Sequence, residues 1–420
     1  MKGEHDMPDT KLLRAYARLI VKIGVNLQKE QILVVNTPLA CAPFARLLAE
    51  EAYHVGAHEV VMSWNDEVSD HIKYALAPRS VFSEFPEWKR RFYTDYAEQG
   101  AAFVSVVARD PEIFRDIEPQ RLTSAQQAAG AALLEYRERL MSNKNTWCVV
   151  SVPTPTWAAK VFPDCAAGEA EQRLWEAILK TVRIGGGDAV AAWQEHIAFL
   201  HRAAAFLNAQ DFASLHYTNG LGTDLVVELP EGHLWAGGSE DSQTGVPFVA
   251  NLPTEEVYTL PDRDGVSGTV IATKPLVYQG SLIEEMRLRF AQGRVVEARA
   301  KHGEEKLRQL LATDEGACHL GEVALVPYDS PISKSGLLFY NTLFDENAAC
   351  HLAFGKAYPT CLKDGASLES VELLRRGVND SLLHEDFMVG SRDLSIVGRR
   401  RADGREVPVF IDGNFAPFLS

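Results

Sequence analysis

From Asp9 to Asn26 the apolar side chains Leu12, Leu13, Tyr16, Leu19, Ile20 and Ile23 recur at helical spacing. The pattern predicts an amphipathic helix with Asp9 or Thr10 as N-cap and Gly24 and Asn26 as its stop. The short apolar runs 32–35 and 58–62 predict buried strands, with helices at 40–53 and 70–77. Further strands are expected at 102–107 and 147–152, on either side of an alanine-rich helix over 124–141. Continuously apolar strands that alternate with helices indicate a parallel sheet covered on both faces, hence a doubly wound α/β domain. Helices at 169–183 and 189–209 follow.

After Asp211 the texture changes. Short alternating segments at 214–217, 224–229, 269–272, 286–290 and 295–298 are separated by turn residues such as Ala291-Gln292-Gly293-Arg294. This is the signature of antiparallel strands and hairpins. Helical stretches are expected at 304–313 and 343–354. The organisation read from the pattern is an α/β N-terminal domain over 1–200, doubly wound with a mostly parallel sheet. A mainly antiparallel β (α+β) domain over 201–420 carries the chemistry, and the boundary falls between 185 and 211.

A chain of 420 residues is long enough for two domains, and 46% hydrophobic and 24% charged residues are ordinary for a globular protein. The net charge of −15 argues against a nucleic-acid or anionic-membrane surface, where basic patches supply the affinity. The six cysteines are scattered without a Cys-x-x-Cys pair, as expected of buried thiols in a reducing compartment rather than of a cysteine-rich zinc site. The polar start, Met1 to Thr10, lacks the apolar run of a signal peptide, and no run approaches the ~20 apolar residues of a bilayer span. The expected compartment is the cytoplasm. The α/β part contains no Gly-x-Gly-x-x-Gly or Gly-Lys-Ser/Thr loop. Gly185-Gly186-Gly187 follows a helix and reads as a hinge or helix stop, not a phosphate cradle.

Candidate chemistry concentrates in the C-terminal third. In extended chain His384 and Asp386 project to one side and Glu385 to the other, and an imidazole beside a carboxylate suits a divalent ion. The alternative is a surface charge cluster. Glu322 stands in the apolar run 320–326, and a buried carboxylate needs a cation, a metal or a proton. His351 sits in apolar company, as a ligand or as a core residue. Tyr358 follows it by seven residues, two helical turns if the helix continues past Gly355. Asp345-Glu346 could be part of a site or cap a helix, and Glu255-Glu256 could be part of a site or face solvent. Together these acids, two histidines and a tyrosine form the inventory that a two-metal site requires.

Five passages resemble the motifs of the thermophilic aminopeptidase family, the aminopeptidase T and aminopeptidase S type metallopeptidases of peptidase family M29. They are Asn251-Leu252-Pro253-Thr254-Glu255-Glu256-Val257, the run 320–327, the run 341–348, His351-Leu352-Ala353-Phe354-Gly355-Lys356-Ala357-Tyr358, and the run 384–390. The likeness spans nearly the whole chain, including Gly24-Val25-Asn26-Leu27-Gln28. It implies a metallo-aminopeptidase, generally a homodimer, with two divalent metals per subunit (zinc, cobalt, manganese or magnesium). Carried onto matching positions, the metal ligands are Glu256, Glu322, His351, His384 and Asp386, and Tyr358 matches the catalytic tyrosine. Glu322 is expected to bridge the metals, and Tyr358 to steady the charge that develops on the attacked carbonyl. Glu255 or Glu346 would carry the proton to the leaving amine. The expected partners are peptides with a free N-terminal amine, with no nucleic acid and no membrane.

Two other readings share these residues. One is a dinuclear amidase or dipeptidase acting on other amides, which activity on N-blocked substrates would separate. The other is a non-catalytic protein whose metals are structural or absent. Phe339, Phe344 and Phe354, close to the motifs, line either a side-chain pocket or the core. The stretch 363–379 departs from the familiar motifs and leaves substrate preference open.

Overall fold

A computed structural model describes residues 9–278 and 281–417. Most of the polar N-terminal segment, residues 1–8, lies outside the described residues. The chain divides into two compact units, one of Met1–Glu195 with Ser239–Pro253, the other of His196–Gly238 with Thr254–Ser420.

The first unit is built on a five-stranded, all-parallel sheet. Its order is Asn251–Leu252, Trp147–Val150, Ala102–Val106, Ile32–Pro38 and Glu59–Asn65. Leu33, Val34 and Val35 are fully buried, as a strand covered on both faces requires. The first helix, Thr10–Leu19, is capped by the Asp9 carboxylate, which accepts the Lys11 N–H. Helices at Glu87–Glu98 and Pro155–Val161 appear where the apolar pattern is too short to announce them. The alanine-rich helix begins earlier, at Pro119, and breaks at Leu133 into Pro119–Ala132 and Leu134–Met141. Proline is well placed in a first helical turn, where its missing N–H has no partner to lose.

The second unit holds two antiparallel sheets. The larger has eight strands, in the order Arg294–Arg299, Arg287–Ala291, Val266–Ile271, Asp224–Glu228, Phe212–Thr218, Ser395–Arg400, Glu406–Ile411 and Asn414–Phe415. Gln292 and Gly293, both at positive φ, make its first hairpin turn. The smaller has five strands, in the order His384–Met388, His351–Gly355, Leu320–Leu325, Val257–Thr259 and Ala236–Gly237. Both sheets contribute to one core, in which Leu215, Val227 and Ile396 join Val323, Leu352 and Phe387.

One expectation is corrected here. The helix over 343–354 exists only as Thr342–Asp345, continued by a 3₁₀ turn at Glu346–Ala348. The chain then straightens at Ala349, and His351–Gly355 is a strand. That strand lies inside its sheet, flanked on both sides, and is buried along its whole length. It therefore has no polar–apolar alternation to distinguish it from a buried helix. Tyr358 thus reaches its place through the turn after a strand, not by a helical repeat.

Among the described residues no helix is long and apolar enough to cross a membrane, and all six cysteines are free. The fully buried Leu352 fastens the His351–Gly355 strand to the core. Replacing it with alanine is expected to cost about 2–5 kcal/mol of unfolding free energy. Urea denaturation of chelator-treated protein would measure this, and a loss well under 1 kcal/mol would show that the strand does not rely on this contact.

Candidate metal centre

Strand alternation creates the site. In the small sheet Ala324 pairs with His351, Glu322 with Ala353, and Ala353 with Asp386, while Gly355 pairs with His384. Side chains two apart share a face. Glu322, His351, His384 and Asp386 therefore project from one face. Val323, Leu325, Leu352, Phe354 and Phe387 project from the other into the core. Tyr258, paired with Ala324, lies on the polar face as well.

Two groups of donors result. Glu256, Glu322 and His351 form one, and Glu322, His384 and Asp386 the other, the donor atoms of each lying within 4.8 Å of one another. Glu322 belongs to both. Nε2 of His351 stands 3.2 Å from Glu256, 3.7 Å from Glu322 and 4.0 Å from Asp386. Nε2 of His384 is 3.4 Å from Glu322 and 3.6 Å from Asp386.

Each imidazole is anchored from behind. Nδ1–H of His351 donates to the carbonyl of Ala349 at 3.1 Å, and Nδ1–H of His384 to that of Lys356 at 2.7 Å. A carbonyl can only accept, so Nδ1 keeps its proton, and it is Nε2 that can give up its own and turn a lone pair toward the site, the arrangement a metal-binding histidine needs. Glycine lets the chain come close enough: Gly355 has φ +91°, and a Cβ there would meet the Leu383 carbonyl at 2.1 Å.

Glu256 arrives on the segment before Val257–Thr259. Fully buried Asn347 fixes that segment, accepting the Glu255 N–H at 2.8 Å and donating to the Leu343 carbonyl at 3.1 Å. The neighbouring Glu255 points elsewhere, its carboxylate 3.5 Å from His196. Asn347 escapes sequence reading because a lone asparagine after two acids carries no pattern of its own.

Electrostatics follow from crowding. Burial opposes ionisation of Glu322, but hydrogen bonding to His351 and His384 outweighs it and holds the carboxyl down at about 2. Burial likewise opposes charge on both histidines. The carboxylates nevertheless raise His351 well above its ordinary range and His384 to about 9. Burial, then the Glu322 and Glu256 charges, push Asp386 up to about 6 despite the two imidazoles. Glu346 is raised well above the carboxylate range by burial and by Asp386 and Glu256. Tyr358 is 40% exposed as a whole residue, but desolvation at the site and then Glu322, Asp386, Glu346 and Glu256 raise its phenol. Its ring lies 5.0 Å from that of His384 and 6.3 Å from that of Tyr258.

So many acids in apolar surroundings are short of positive charge. Among the described residues the buried Oδ1 of Asp386 also has no hydrogen-bond partner. Carboxylate oxygens and imidazole nitrogens without thiolate are a donor set for divalent cations, and these residues fit one. Phe339 and Phe344 stack on each other at 4.6 Å and Phe354 on Phe387 at 4.5 Å, all fully buried, so these rings belong to the core.

An α/β unit together with a β unit that presents imidazoles and carboxylates from one sheet face defines a metalloprotein of the divalent-cation type. The sequence model described as "Thermophilic metalloprotease (M29)" matches residues 9–415, and the chain belongs to this family. It is 51% identical to Aminopeptidase 2 of Geobacillus stearothermophilus over 406 residues, covering 97% of this chain and 98% of that one. It is 46% identical to Aminopeptidase AmpS of Bacillus subtilis over 404 residues, covering 96% and 98%. The solved structure of wild-type AmpT from Thermus thermophilus superposes with a TM-score of 0.91 at 41% identity, covering 97% of this chain and 99% of that one.

Metal entry must displace the protons that His351 and His384 hold at neutral pH. Affinity is therefore expected to rise with pH, and binding to release protons. Calorimetric titration of zinc into chelator-stripped protein, in two buffers of different ionisation enthalpy, reads the proton count. A heat independent of the buffer would contradict it.

Proposed function

We propose that the protein is a metal-dependent aminopeptidase that hydrolyses the N-terminal bond of peptides at a dinuclear centre. The observation that carries the two-ion reading is the sharing of Glu322 between both donor groups. Glu256 and His351 would complete one ion's ligands, and His384 and Asp386 the other's. When bound, such cations polarise a carbonyl and acidify water, supplying hydroxide near neutral pH. Zinc, cobalt, manganese and magnesium all suit these ligands, and availability decides among them.

The chain's own residues do the rest. Tyr358, whose phenol is kept protonated by burial and by surrounding carboxylates, donates a hydrogen bond to the carbonyl oxygen as charge builds on it. Glu346 is the better proton carrier of the two acids considered. Burial and its neighbours favour its protonated form, whereas Glu255 is turned toward His196. Its proton would pass to the leaving amine. The free thiols support a cytoplasmic setting.

A homodimer is also supported by an apolar stripe on the helix Glu67–Leu76. Val68, Ile72 and Leu76 follow one another at four-residue spacing and are 61%, 52% and 80% exposed. Light scattering of Ile72→Asp is expected to show a smaller particle than wild type; identical masses would remove this surface from consideration.

The deciding experiment uses aminoacyl-anilides and their N-acetyl counterparts with chelator-stripped protein and each metal restored in turn. Metal-restored cleavage of free-amine substrates alone is expected. Equal cleavage of blocked substrates would favour a general amidase, and no turnover with any metal a non-catalytic role. Glu322→Ala should abolish turnover without unfolding the protein. Tyr358→Phe should lower kcat roughly 10²- to 10³-fold, the usual effect of losing one such donor. Unchanged kcat in the second variant would take Tyr358 out of the chemistry.

A further inference from the structure

A cavity opens along the outer strand of the small sheet, His384–Met388. Leu276 and Val277 of the Leu276–Tyr278 strand, Leu338 and Asn341 of the loop before Thr342, and Glu385 and Asp386 of the outer strand line it. It offers about 80 Å³ of space. One water needs only about 10–15 Å³ by the same measure, so several waters or an aliphatic amine fit. Asp386 is common to the cavity lining and to one of the two donor groups.

Two other carboxylates line the cavity, and they differ in what already holds them. Asp345 accepts N–H groups from Phe339 at 2.8 Å and Asn341 at 3.0 Å, so it is committed to shaping the loop. Glu385 makes no side-chain hydrogen bond or ion pair among the described residues. Alternation turns it away from His384 and Asp386, which excludes it from the ligand face. A half-buried carboxylate without a partner, beside apolar walls and next to a hydrolytic centre, is complementary to a cation on an aliphatic stem.

We infer that this cavity is the subsite for the substrate's N-terminal residue, and that Glu385 recognises a cationic group on that residue. The inference rests on the aminopeptidase reading and adds the chemistry that selects the substrate. The cation has two sources, the α-ammonium group that every free N-terminus carries, or the side chain of an N-terminal lysine or arginine.

Glu385→Gln keeps shape and removes charge. The metal-loaded variant and wild type are compared on leucyl-, lysyl- and arginyl-anilides, with metal content measured for both. Loss of a charge-assisted contact is expected to lower kcat/KM roughly ten- to hundredfold. A loss confined to the lysyl and arginyl substrates identifies the side chain as the cation. A loss equal on all three, carried by KM, identifies the α-ammonium. Unchanged kcat/KM on all three overturns the inference, and so does a loss that merely follows a loss of bound metal.

Leu338→Trp narrows the cavity without touching a carboxylate. It should raise KM for lysyl- and arginyl-anilide more than for alanyl-anilide, and equal effects would count against the subsite. Binding of n-butylammonium, followed by saturation-transfer NMR, separates this inference from the aminopeptidase reading. If wild type turns over no anilide yet binds the amine and Glu385→Gln does not, the subsite stands while the assigned reaction falls. If neither protein binds the amine, the subsite falls.

Discussion

Everything around the candidate metal centre answers to one problem, the concentration of like charge in a place with little water. The charges of Glu256 and Glu322 oppose ionisation of Glu346 and Asp386 beside an apolar sheet. Left alone, such a group would take up protons or draw water in. Two imidazoles relieve part of the repulsion, and a doubly charged cation relieves far more. The fold supports the crowding by giving each strand a second face. Val323, Leu352 and Phe387 bury apolar surface on the side opposite the acids, so the stability that holds the strands in register does not come from the polar face.

That division of labour explains what the sequence makes legible. His384 and Asp386 can be read as a pair because a strand repeats every two residues. Glu322 is conspicuous because it is the lone acid in an apolar run. Four of the five parallel strands of the first unit are equally plain, since mainly apolar runs alternate with helices, whereas the fifth, Asn251–Leu252, comes from far along the chain and carries no such signal. The His351–Gly355 strand reads as helix because burial on both faces erases periodicity. The place of Tyr358 depends on a turn that no spacing rule anticipates. Resemblance to the family names His351 and Tyr358 as candidate site residues but does not reveal the strand or the turn that carries them.

Other features are invisible in sequence for a geometric reason. Asn347 matters through two backbone groups, one four residues behind it and one far away at Glu255. The cavity beside Glu385 takes its walls from segments near 276, 338 and 385, which only the tertiary fold brings together. Local propensity carries no record of such meetings. A carboxylate like Glu385 is also easily dismissed next to better-known neighbours, because its interest lies in the partner it lacks.

The position of His384–Met388 at the edge of its sheet has a consequence for exchange with the surroundings. An edge strand is held by one neighbour, and local opening costs less there than at a central strand. If two ions share Glu322, the one completed by His384 and Asp386 sits on the movable side, while the other is held by His351 and Glu256 nearer the middle. The centre would then have a built-in order of departure. One ion would be labile and sensitive to scarcity in the medium, the other retained, and the partly loaded state would be a defined species rather than a random mixture.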